Sequence, residues 1–185
     1  MANHVCPWWV GYLLINPLRK IIQNPEKIVG SYVSPKMKVM DVGCAMGFFS
    51  LPLARLVGEQ GKVYCIDLQE RMIETLVKRA RKAGLDNRIE TRICSYDSLG
   101  IEDIREEIDF ALAFAVVHEV DNKGHLLTQI WHAIKPGGKL LISEPKGHVS
   151  ERDFEAAVSL AQKTGFNLLE RPAFTRSYSV VLSKI

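Results

Sequence analysis

The stretch "MDVGCAMGFFS", Met40 to Ser50, decides how this sequence folds. Its first residues complete an apolar run of strand length, and Gly43 and Gly47 then mark a tight turn before a second apolar run. Alanine stands at position 45, where a middle glycine is usual in turns of this kind. If this position requires a positive φ angle, the alanine costs roughly 1 kcal/mol or more; if φ is negative, its methyl group only crowds the loop and the cost is small. Either way, we predict a turn between a buried strand and a helix that begins near Phe48.

Apolar runs of strand length alternate with segments of helical period along the rest of the chain. Near-continuous hydrophobicity is typical of strands that are buried on both faces. The five candidates are Met37 to Val42, Lys62 to Asp67, Arg88 to Cys94, Asp109 to Val117 and Gly138 to Glu144. Apolar residues recur at helical spacing around Ile73 and again around Ile130, and a glycine follows each set. This repeated β-α-β pattern predicts a parallel sheet covered by helices.

The C-terminal region predicts a different connection. A helix around Ala157 is followed by the strand candidates "FNLLER" and "SYSVVLS", which are joined only by "PAFT". So short a link cannot hold a crossover helix, so the two strands must form an antiparallel hairpin. We predict an α/β fold with a doubly wound, Rossmann-like, seven-stranded mixed sheet, mostly parallel, with helices on both faces. Residues 31–185 form this domain, and residues 1–30 form an N-terminal helical lid or cover segment.

Composition limits the classes of function. The chain has 185 residues, 47% of them hydrophobic, which suits one domain with its own core. Its net charge is only +3 and its Lys and Arg residues are dispersed, so no basic patch for nucleic acid is visible. The four cysteines form no CxxC pair, no secretory signal precedes them, and no apolar run approaches the ~20 residues that cross a bilayer. We expect a soluble, cytoplasmic protein with reduced thiols, no metal and no membrane contact.

The polar residues near the turn indicate the ligand. Asp67 ends the second strand, twenty residues after Gly47, where a carboxylate can accept hydrogen bonds from both hydroxyls of a ribose. The G-x-G-x-x-G pattern of dinucleotide folds is absent, because Ala45 and Phe48 occupy its second and third glycine positions. Asp41 would repel a diphosphate but attract an amino group. The residues therefore favour a cofactor with an adenosine and a cationic amino-acid tail over NAD.

Four motifs in this order resemble the class I S-adenosylmethionine-dependent methyltransferases. They are "VMDVGCAMGFFSLPLA", Asp67 at the end of the second strand, "AFAVVHEV" and "IKPGGKLLISEP". The resemblance covers about Met37 to Ile185 and implies S-adenosylmethionine as the cofactor. It implies the following contacts: Asp41, Gly43, Cys44 and Gly47 at the methionine end, Asp67 at the ribose, Leu68, Ser95 and Tyr96 at the adenine, and Ala115 and Val116 beside the sulfonium. Many relatives carry an acidic residue followed by alanine where this chain has Ser95 and Tyr96.

Candidate catalytic residues follow the fourth strand. His118 and Glu119 lie at its carboxyl end, where α/β folds commonly place catalytic groups, and the alternative is that they cap the next helix near Asp121. His148 follows the fifth strand and is a candidate for the pocket border. His125 and His132 fall in a helix and are expected at the surface.

The cysteines of the domain and the N-terminal segment carry further alternatives. Cys44 is expected to be a small loop side chain rather than a nucleophile, and Cys65 and Cys94 are expected in the core. Two of the three tryptophans lie within the first nine residues, and disordered tails are poor in aromatics. The segment is either a structural cover for the sheet or a lid over the cofactor. The residues expected to reach the substrate or form the lid are His4, Cys6, Trp8, Trp9 and Tyr12.

These observations lead to two hypotheses from different classes. The first is a methyltransferase that acts on a small, soft or readily ionised acceptor. The second is a non-catalytic sensor or partner subunit that binds S-adenosylmethionine. An NAD-dependent oxidoreductase is disfavoured by Ala45 and Phe48. The partner is expected to be a small molecule, and the sequence does not indicate an oligomeric state.

Overall fold

A computed structural model describes Gly11 and residues 23–185, and within these ranges it contains one seven-stranded sheet. The strands are β1 (Lys38–Val42), β2 (Lys62–Asp67), β3 (Ile89–Ile93), β4 (Ile108–Phe114), β5 (Ile134–Pro145), β6 (Phe166–Glu170) and β7 (Ser177–Lys184). The helices are α1 (Pro25–Val29), α2 (Ser50–Val57), α3 (Glu70–Lys82), α4 (Lys123–Ala133) and α5 (Glu151–Thr164). Short 3-10 turns occupy Asp86–Arg88 and Val117–Glu119.

The strand order is β3-β2-β1-β4-β5-β7-β6. Strands β1 to β5 pair in parallel, whereas β7 runs antiparallel to both β5 and β6. The order reverses between β1 and β4, which is the switch point where ligands bind in sheets of this type. The predicted doubly wound mixed sheet and its C-terminal hairpin are therefore confirmed.

Each face of the sheet packs against its own set of helices. Alternate residues of β1 point to opposite faces, so Met40 belongs to one buried cluster and Val39 to the other. Residues of α4 and α5, such as Ile130 and Phe154, complete the first cluster. Residues of α1, α2 and α3, such as Leu53, complete the second. The sheet is thus buried on both faces, as its near-continuous hydrophobicity predicts.

Three predicted boundaries are corrected by the backbone. Strand β4 ends at Phe114 rather than Val117, because Ala115 adopts a φ of 58° and leaves the extended conformation. The helix after the first turn begins at Ser50 rather than near Phe48. Strand β5 begins at Ile134 rather than Gly138, because Ile134 already pairs with Ile108 of β4, before a register shift in the ladder.

None of the helices among the described residues is both long enough and apolar enough to span a bilayer.

Candidate active site

A cavity of about 300 Å³ opens at the carboxyl ends of β1 to β4. Loops that are distant in sequence meet there, as expected at the switch point of a parallel sheet. The predicted residues that line it are Asp41, Gly43, Cys44, Asp67, Leu68, Ser95, Tyr96, Ala115, Val116, His118 and Glu119. Gly47 is not part of the cavity wall, although it belongs to the same loop.

The loop after β1 contains three residues in the left-handed region: Gly43 (φ 71°), Ala45 (φ 46°) and Gly47 (φ 81°). A Cβ atom at Gly43 would lie 2.6 Å from Cγ2 of Val116, so this glycine lets the loops after β1 and β4 pack together. A Cβ at Gly47 would collide with Leu76 of α3. Both glycines are therefore required by close approach as well as by conformation.

Ala45 shows how the loop tolerates the missing glycine. Its positive φ means that the alanine carries a strain of roughly 1–2 kcal/mol. In this conformation its N–H donates a 2.8 Å hydrogen bond to Oδ2 of Asp67. The strained residue thus links the turn after β1 to the carboxylate at the end of β2.

Asp67 lies at the cavity wall and is almost completely buried. Its Oδ1 accepts a 2.9 Å hydrogen bond from the N–H of Gln69, which is the N-cap residue of α3. Burial raises the pKa of Asp67, and the backbone hydrogen bonds from Gln69, Ala45 and Leu68 oppose that rise. Each carboxylate oxygen can accept more than one hydrogen bond, so these contacts leave acceptor capacity for a ligand.

Asp41 is the most strongly perturbed carboxylate of the cavity. It is 3% exposed, and its Oδ2 accepts a 2.6 Å hydrogen bond from the hydroxyl of Ser50. Burial raises its pKa to about 7, against the effect of Ser50, and the charge of Asp67 adds to the rise. No ion pair to Asp41 occurs within the described part of the chain. A buried carboxylate without a cation is suited to the ammonium group of an amino acid.

The wall beyond β3 is polar and more open. Tyr96 is 63% exposed, and Ser95 and Ser98 hydrogen-bond to each other across a short turn. Gln129 of α4 also lines the cavity and accepts a 2.8 Å hydrogen bond from the N–H of Leu99. The sequence analysis missed Gln129, because a polar residue within a helix gives no signal that it faces a loop from another part of the chain.

The three described cysteines are free thiols. Burial is the main cause that raises the pKa of Cys44 well above its ordinary value, and burial raises the pKa of Cys94 to about 11. The thiolate is the reactive form of cysteine, so these positions favour a packing role. Cys65 is buried in β2, in agreement with the expectation of a core residue, whereas Cys94 is half-buried and lines the cavity.

His118 is held by Glu144, a residue that the sequence analysis missed. His118 Nδ1 lies 2.5 Å from Glu144 Oε2, while Glu144 Oε1 accepts hydrogen bonds from the N–H groups of Val117 (2.8 Å) and His118 (3.3 Å). Glu144 lies near the end of β5, next to β4, and is only 2% exposed. Its place at the carboxyl end of a neighbouring parallel strand is the signal that would have identified it.

This carboxylate also sets the protonation of the imidazole ring. The hydrogen bond to Glu144 is the largest cause that raises the pKa of His118, and partial burial of the ring opposes it. The charge of Glu119, which also lines the cavity, adds to the rise. Because Nδ1 is hydrogen-bonded to the carboxylate of Glu144, Nε2 is the nitrogen that can accept a proton when the ring is neutral.

A second cavity, of about 210 Å³, lies on the other side of His118. His148 lines this second cavity rather than the first, and its ring packs edge-on against that of His118 with 6.1 Å between centroids. His125 is exposed and contributes to the wall of the first cavity, whereas the exposed His132 lines neither. His148 therefore borders the proposed base and not the cofactor cavity.

The predicted lid residues His4, Cys6, Trp8, Trp9 and Tyr12 lie outside the described residues. Gly11 is described: it is helical and buried, and a Cβ there would lie 2.8 Å from Met46 Cε and from Met72 Sδ. Met46 and Met72 both line the first cavity.

The cavity fits S-adenosylmethionine in three respects. Asp41 offers a buried carboxylate without a cation among its described partners, Asp67 offers a second carboxylate at the wall, and the turn after β1 admits no Cβ at Gly43. In the described ranges, no group of three or more His, Cys, Asp or Glu residues is placed to hold a metal ion.

Comparison with known proteins leads to the same family. A family model described as "Methyltransferase domain" matches residues 33–171. The human protein named "Ubiquinone biosynthesis O-methyltransferase, mitochondrial" is 35% identical over 108 residues, which are 58% of this chain and 28% of that protein. The "Ubiquinone/menaquinone biosynthesis C-methyltransferase UbiE" of Shewanella pealeana is 29% identical over 110 residues, 60% of this chain and 43% of that protein. The chain thus spans less than half the length of these two curated relatives.

A solved structure extends the likeness to nearly the whole chain. A SAM-dependent methyltransferase from Aquifex aeolicus superposes with a TM-score of 0.87 at 23% identity, covering 98% of this chain and 100% of that one. At this identity the superposition supports the fold, and the family model supports the membership. The chain belongs to the class I S-adenosylmethionine-dependent methyltransferase family.

Proposed function

We propose that the protein transfers the methyl group of S-adenosylmethionine to a small acceptor with a readily ionised attacking atom, and that a phenol-type hydroxyl is the favoured acceptor. The single observation that carries this proposal is the hydrogen bond between His118 Nδ1 and the buried carboxylate of Glu144. His118 lies at the wall of the cavity whose other residues fit the cofactor, and Glu144 lies beside it at the second cavity. A protein that only binds the cofactor has no need of such a pair.

The pair has the arrangement of a general base with an orienting group. Glu144 fixes the ring and the Nδ1–H tautomer, so Nε2 of neutral His118 can take the acceptor's proton. The pKa of His118 is raised, so its ring becomes the neutral base at a higher pH than the ring of an ordinary histidine does. Such a base suits a hydroxyl that ionises readily, because proton transfer is most efficient when the two pKa values are not far apart.

The cofactor's contribution is the methyl carbon, which the sulfonium activates for attack. The chain must then hold the acceptor in line and exclude water, and positioning of this kind can supply as much as ~7–11 kcal/mol. We assign Asp41 to the cofactor's ammonium group and Asp67 to its ribose. We assign His118 and Glu119 to the acceptor side.

The names of the curated relatives support the acceptor class. One is named an O-methyltransferase and the other a C-methyltransferase, in ubiquinone biosynthesis and in ubiquinone or menaquinone biosynthesis. A ring hydroxyl and an acidic ring carbon both require removal of a proton, which agrees with a base in the site. Thiols ionise with less help, and the raised pKa values of Cys44 and Cys94 give no sign of a covalent thiol step.

The N-terminal segment remains a prediction within this proposal. We propose that the part of the predicted segment 1–30 that precedes α1 covers the cavity, because Gly11 lies against Met46 and Met72 of the cavity wall. Helix α1 itself packs in the second buried cluster and lines neither cavity. Deletion of residues 1–16 should leave binding of S-adenosylhomocysteine partly intact and abolish methyl transfer. Unchanged turnover in the truncated protein would remove the lid from the proposal.

The decisive experiment is an acceptor screen followed by a pH–rate profile. Phenols, carbon acids, thiols and metalloid oxyanions are offered with radiolabelled S-adenosylmethionine, and the best acceptor is used for kinetics. His118→Ala should reduce turnover at least tenfold, with a deficit that shrinks at high pH as the acceptor deprotonates unaided. His132→Ala, an exposed histidine outside both cavities, is the matched control and should keep the wild-type profile.

The outcomes separate the alternatives. An identical profile for His118→Ala would remove the base. Tight binding of S-adenosylmethionine without turnover on any acceptor class would instead favour the non-catalytic sensor or partner subunit.

A further inference from the structure

Arg79 of α3 makes an unusual contact with the loop after β1. Its Nη1 donates a hydrogen bond to the carbonyl oxygen of Met46. The side chain is half-buried, and no carboxylate lies within ion-pair distance of it among the described residues. A guanidinium group that loses hydration without a counter-ion is costly, and here burial lowers the pKa of Arg79. Its described partner is a backbone carbonyl of the cofactor loop.

The position of that carbonyl gives the contact its importance. Met46 lies between Ala45 and Gly47, both of which have positive φ angles. The orientation of the Met46 carbonyl is therefore set by two left-handed residues, of which one is a strained alanine. A donor that holds the carbonyl in this orientation stabilises the left-handed conformations of both Ala45 and Gly47.

A second residue of the same helix supports the same loop. Leu76 lies three residues before Arg79, on the same face of α3, and its Cδ1 is the atom that a Cβ at Gly47 would meet. Helix α3 thus supports the loop with an apolar contact at Gly47 and a polar contact at Met46. On the other side of the loop, Asp67 accepts the N–H of Ala45.

We propose that Arg79 is a positioning residue for the cofactor site, which holds the loop of residues 44–47 in the conformation that receives the methionine part of S-adenosylmethionine. Arg79 does not line the cavity, so it acts through the backbone and not by touching the ligand. The inference concerns cofactor binding and does not depend on the identity of the acceptor or on His118.

Two ligands separate this role from a general effect on folding. S-adenosylhomocysteine carries the amino-acid tail, whereas 5′-methylthioadenosine has the same adenosine without it. If Arg79 positions the loop that lines the methionine end, its loss must weaken the first ligand and spare the second. A purely structural residue would weaken both equally or neither.

The experiment measures the affinity of both ligands by calorimetry for wild type, Arg79→Met, Arg79→Lys and the control Lys78→Met. Lys78 is the adjacent, exposed cation of the same helix. We expect Arg79→Met to weaken S-adenosylhomocysteine about tenfold, or about 1.4 kcal/mol, and methylthioadenosine less than twofold. Arg79→Lys keeps the charge and an N–H donor group, though not the planar guanidinium, and should recover part of the loss, while Lys78→Met should match wild type.

Two results would overturn the proposal: unchanged affinity for S-adenosylhomocysteine in Arg79→Met, or an equal loss for both ligands. Thermal unfolding without ligand shows whether each variant is folded. If Arg79→Met does not fold, the affinities of the two ligands for Arg79→Lys decide between the positioning role and a purely structural one.

Discussion

The loop after β1 and the turn after β4 face one cavity but are built in different ways. The loop takes its shape from three left-handed residues and from nearby supports, namely Asp67 and the face of α3. The turn after β4 has one left-handed residue, Ala115, and is fixed by a side chain from another strand, the carboxylate of Glu144. The first construction shapes a binding surface, and the second orients a reactive group.

This difference separates the expected effects of mutation. Changes in the region after β1 should alter cofactor affinity, because Asp41 and Asp67, the carboxylates assigned to the cofactor, lie there. Changes in the region after β4 should alter turnover at constant cofactor affinity, because His118 lies on the acceptor side and Glu144 orients its ring. The comparison would be wrong if changes after β1 altered only turnover, or if changes after β4 altered cofactor affinity.

The largest effect is expected for Asp41→Asn measured without cofactor. The pKa of Asp41 is about 7 in the folded protein and about 3.9 in an unfolded chain. Between these values the folded state binds more protons, so the free energy of unfolding falls as pH rises, by at most ~4 kcal/mol over about three pKa units. Asp41→Asn lacks this term and should be more stable than wild type at pH 8. Urea unfolding at pH 5 and pH 8 measures the difference.

Cofactor binding should respond in the opposite direction. Asp41 must be ionised to pair with an ammonium group, so wild-type affinity for S-adenosylhomocysteine should rise through pH 7, whereas the affinity of Asp41→Asn should be weaker there and nearly constant. If Asp41→Asn is no more stable than wild type at pH 8, the buried charge of Asp41 does not lower the free energy of unfolding.

Glu144→Gln tests the second region, with an expected loss of turnover of about a hundredfold, within the range of acid–base effects. Glutamine keeps an acceptor for the N–H groups of the turn but removes the charge that raises the pKa of His118. The pH–rate profile should therefore shift to lower pH while affinity for S-adenosylhomocysteine changes less than twofold. The control is Asp153→Asn, an exposed carboxylate at the second cavity, which should leave both quantities unchanged. A large loss of cofactor affinity in Glu144→Gln would contradict the separation of the two regions.

Asp67→Ala should weaken S-adenosylhomocysteine by about 1–3 kcal/mol, the range for loss of a charged hydrogen-bond acceptor from buried partners. The N–H groups of Ala45 and Gln69 would also lose their acceptor, so the unfolding temperature should fall as well. Calorimetric titration measures the affinity. Glu70→Ala, an exposed acid at the start of α3, is the control. If Asp67→Ala changes affinity less than twofold, the assignment to the ribose is wrong.

The sequence predicts the region after β1 better than the region after β4. Asp41, Gly43 and Asp67 lie within one β-α-β unit, where spacing alone brings the residues of two adjacent strands to one edge of the sheet. Glu144 is separated from His118 by 26 residues, and their contact depends on the pairing of β4 with β5 and on a turn that begins at a strained alanine. Periodicity carries no information on that turn, which is why the predicted end of β4 was three residues too late.

The sequence also gives no indication of the contact between Arg79 and the loop after β1. On α3 the residue follows the pattern of a solvated basic face, like its neighbours Lys78 and Arg81. Its direction toward Met46 follows only from the packing of α3 against the loop. Interactions of a side chain with a distant backbone carbonyl leave no periodic trace.

The smallest effect is expected when the two strained alanines, one in each region, are replaced by glycine. Ala45 has a φ of 46° and Ala115 a φ of 58°, and a left-handed residue with a Cβ costs roughly 1–2 kcal/mol. Glycine removes that strain but loses about 0.5–1 kcal/mol more conformational freedom on folding. Ala45→Gly and Ala115→Gly should therefore each raise the free energy of unfolding by about 0–1.5 kcal/mol, as measured by urea unfolding without ligand. Their effects on function should differ. Ala45→Gly should change affinity for S-adenosylhomocysteine, because Ala45 lies in the loop assigned to the cofactor. Ala115→Gly should change turnover, because Ala115 begins the turn that carries His118. If both variants change only the affinity for S-adenosylhomocysteine, the two regions do not have separate effects. The contact between Val116 and Gly43 would then couple the loop after β1 to the turn after β4.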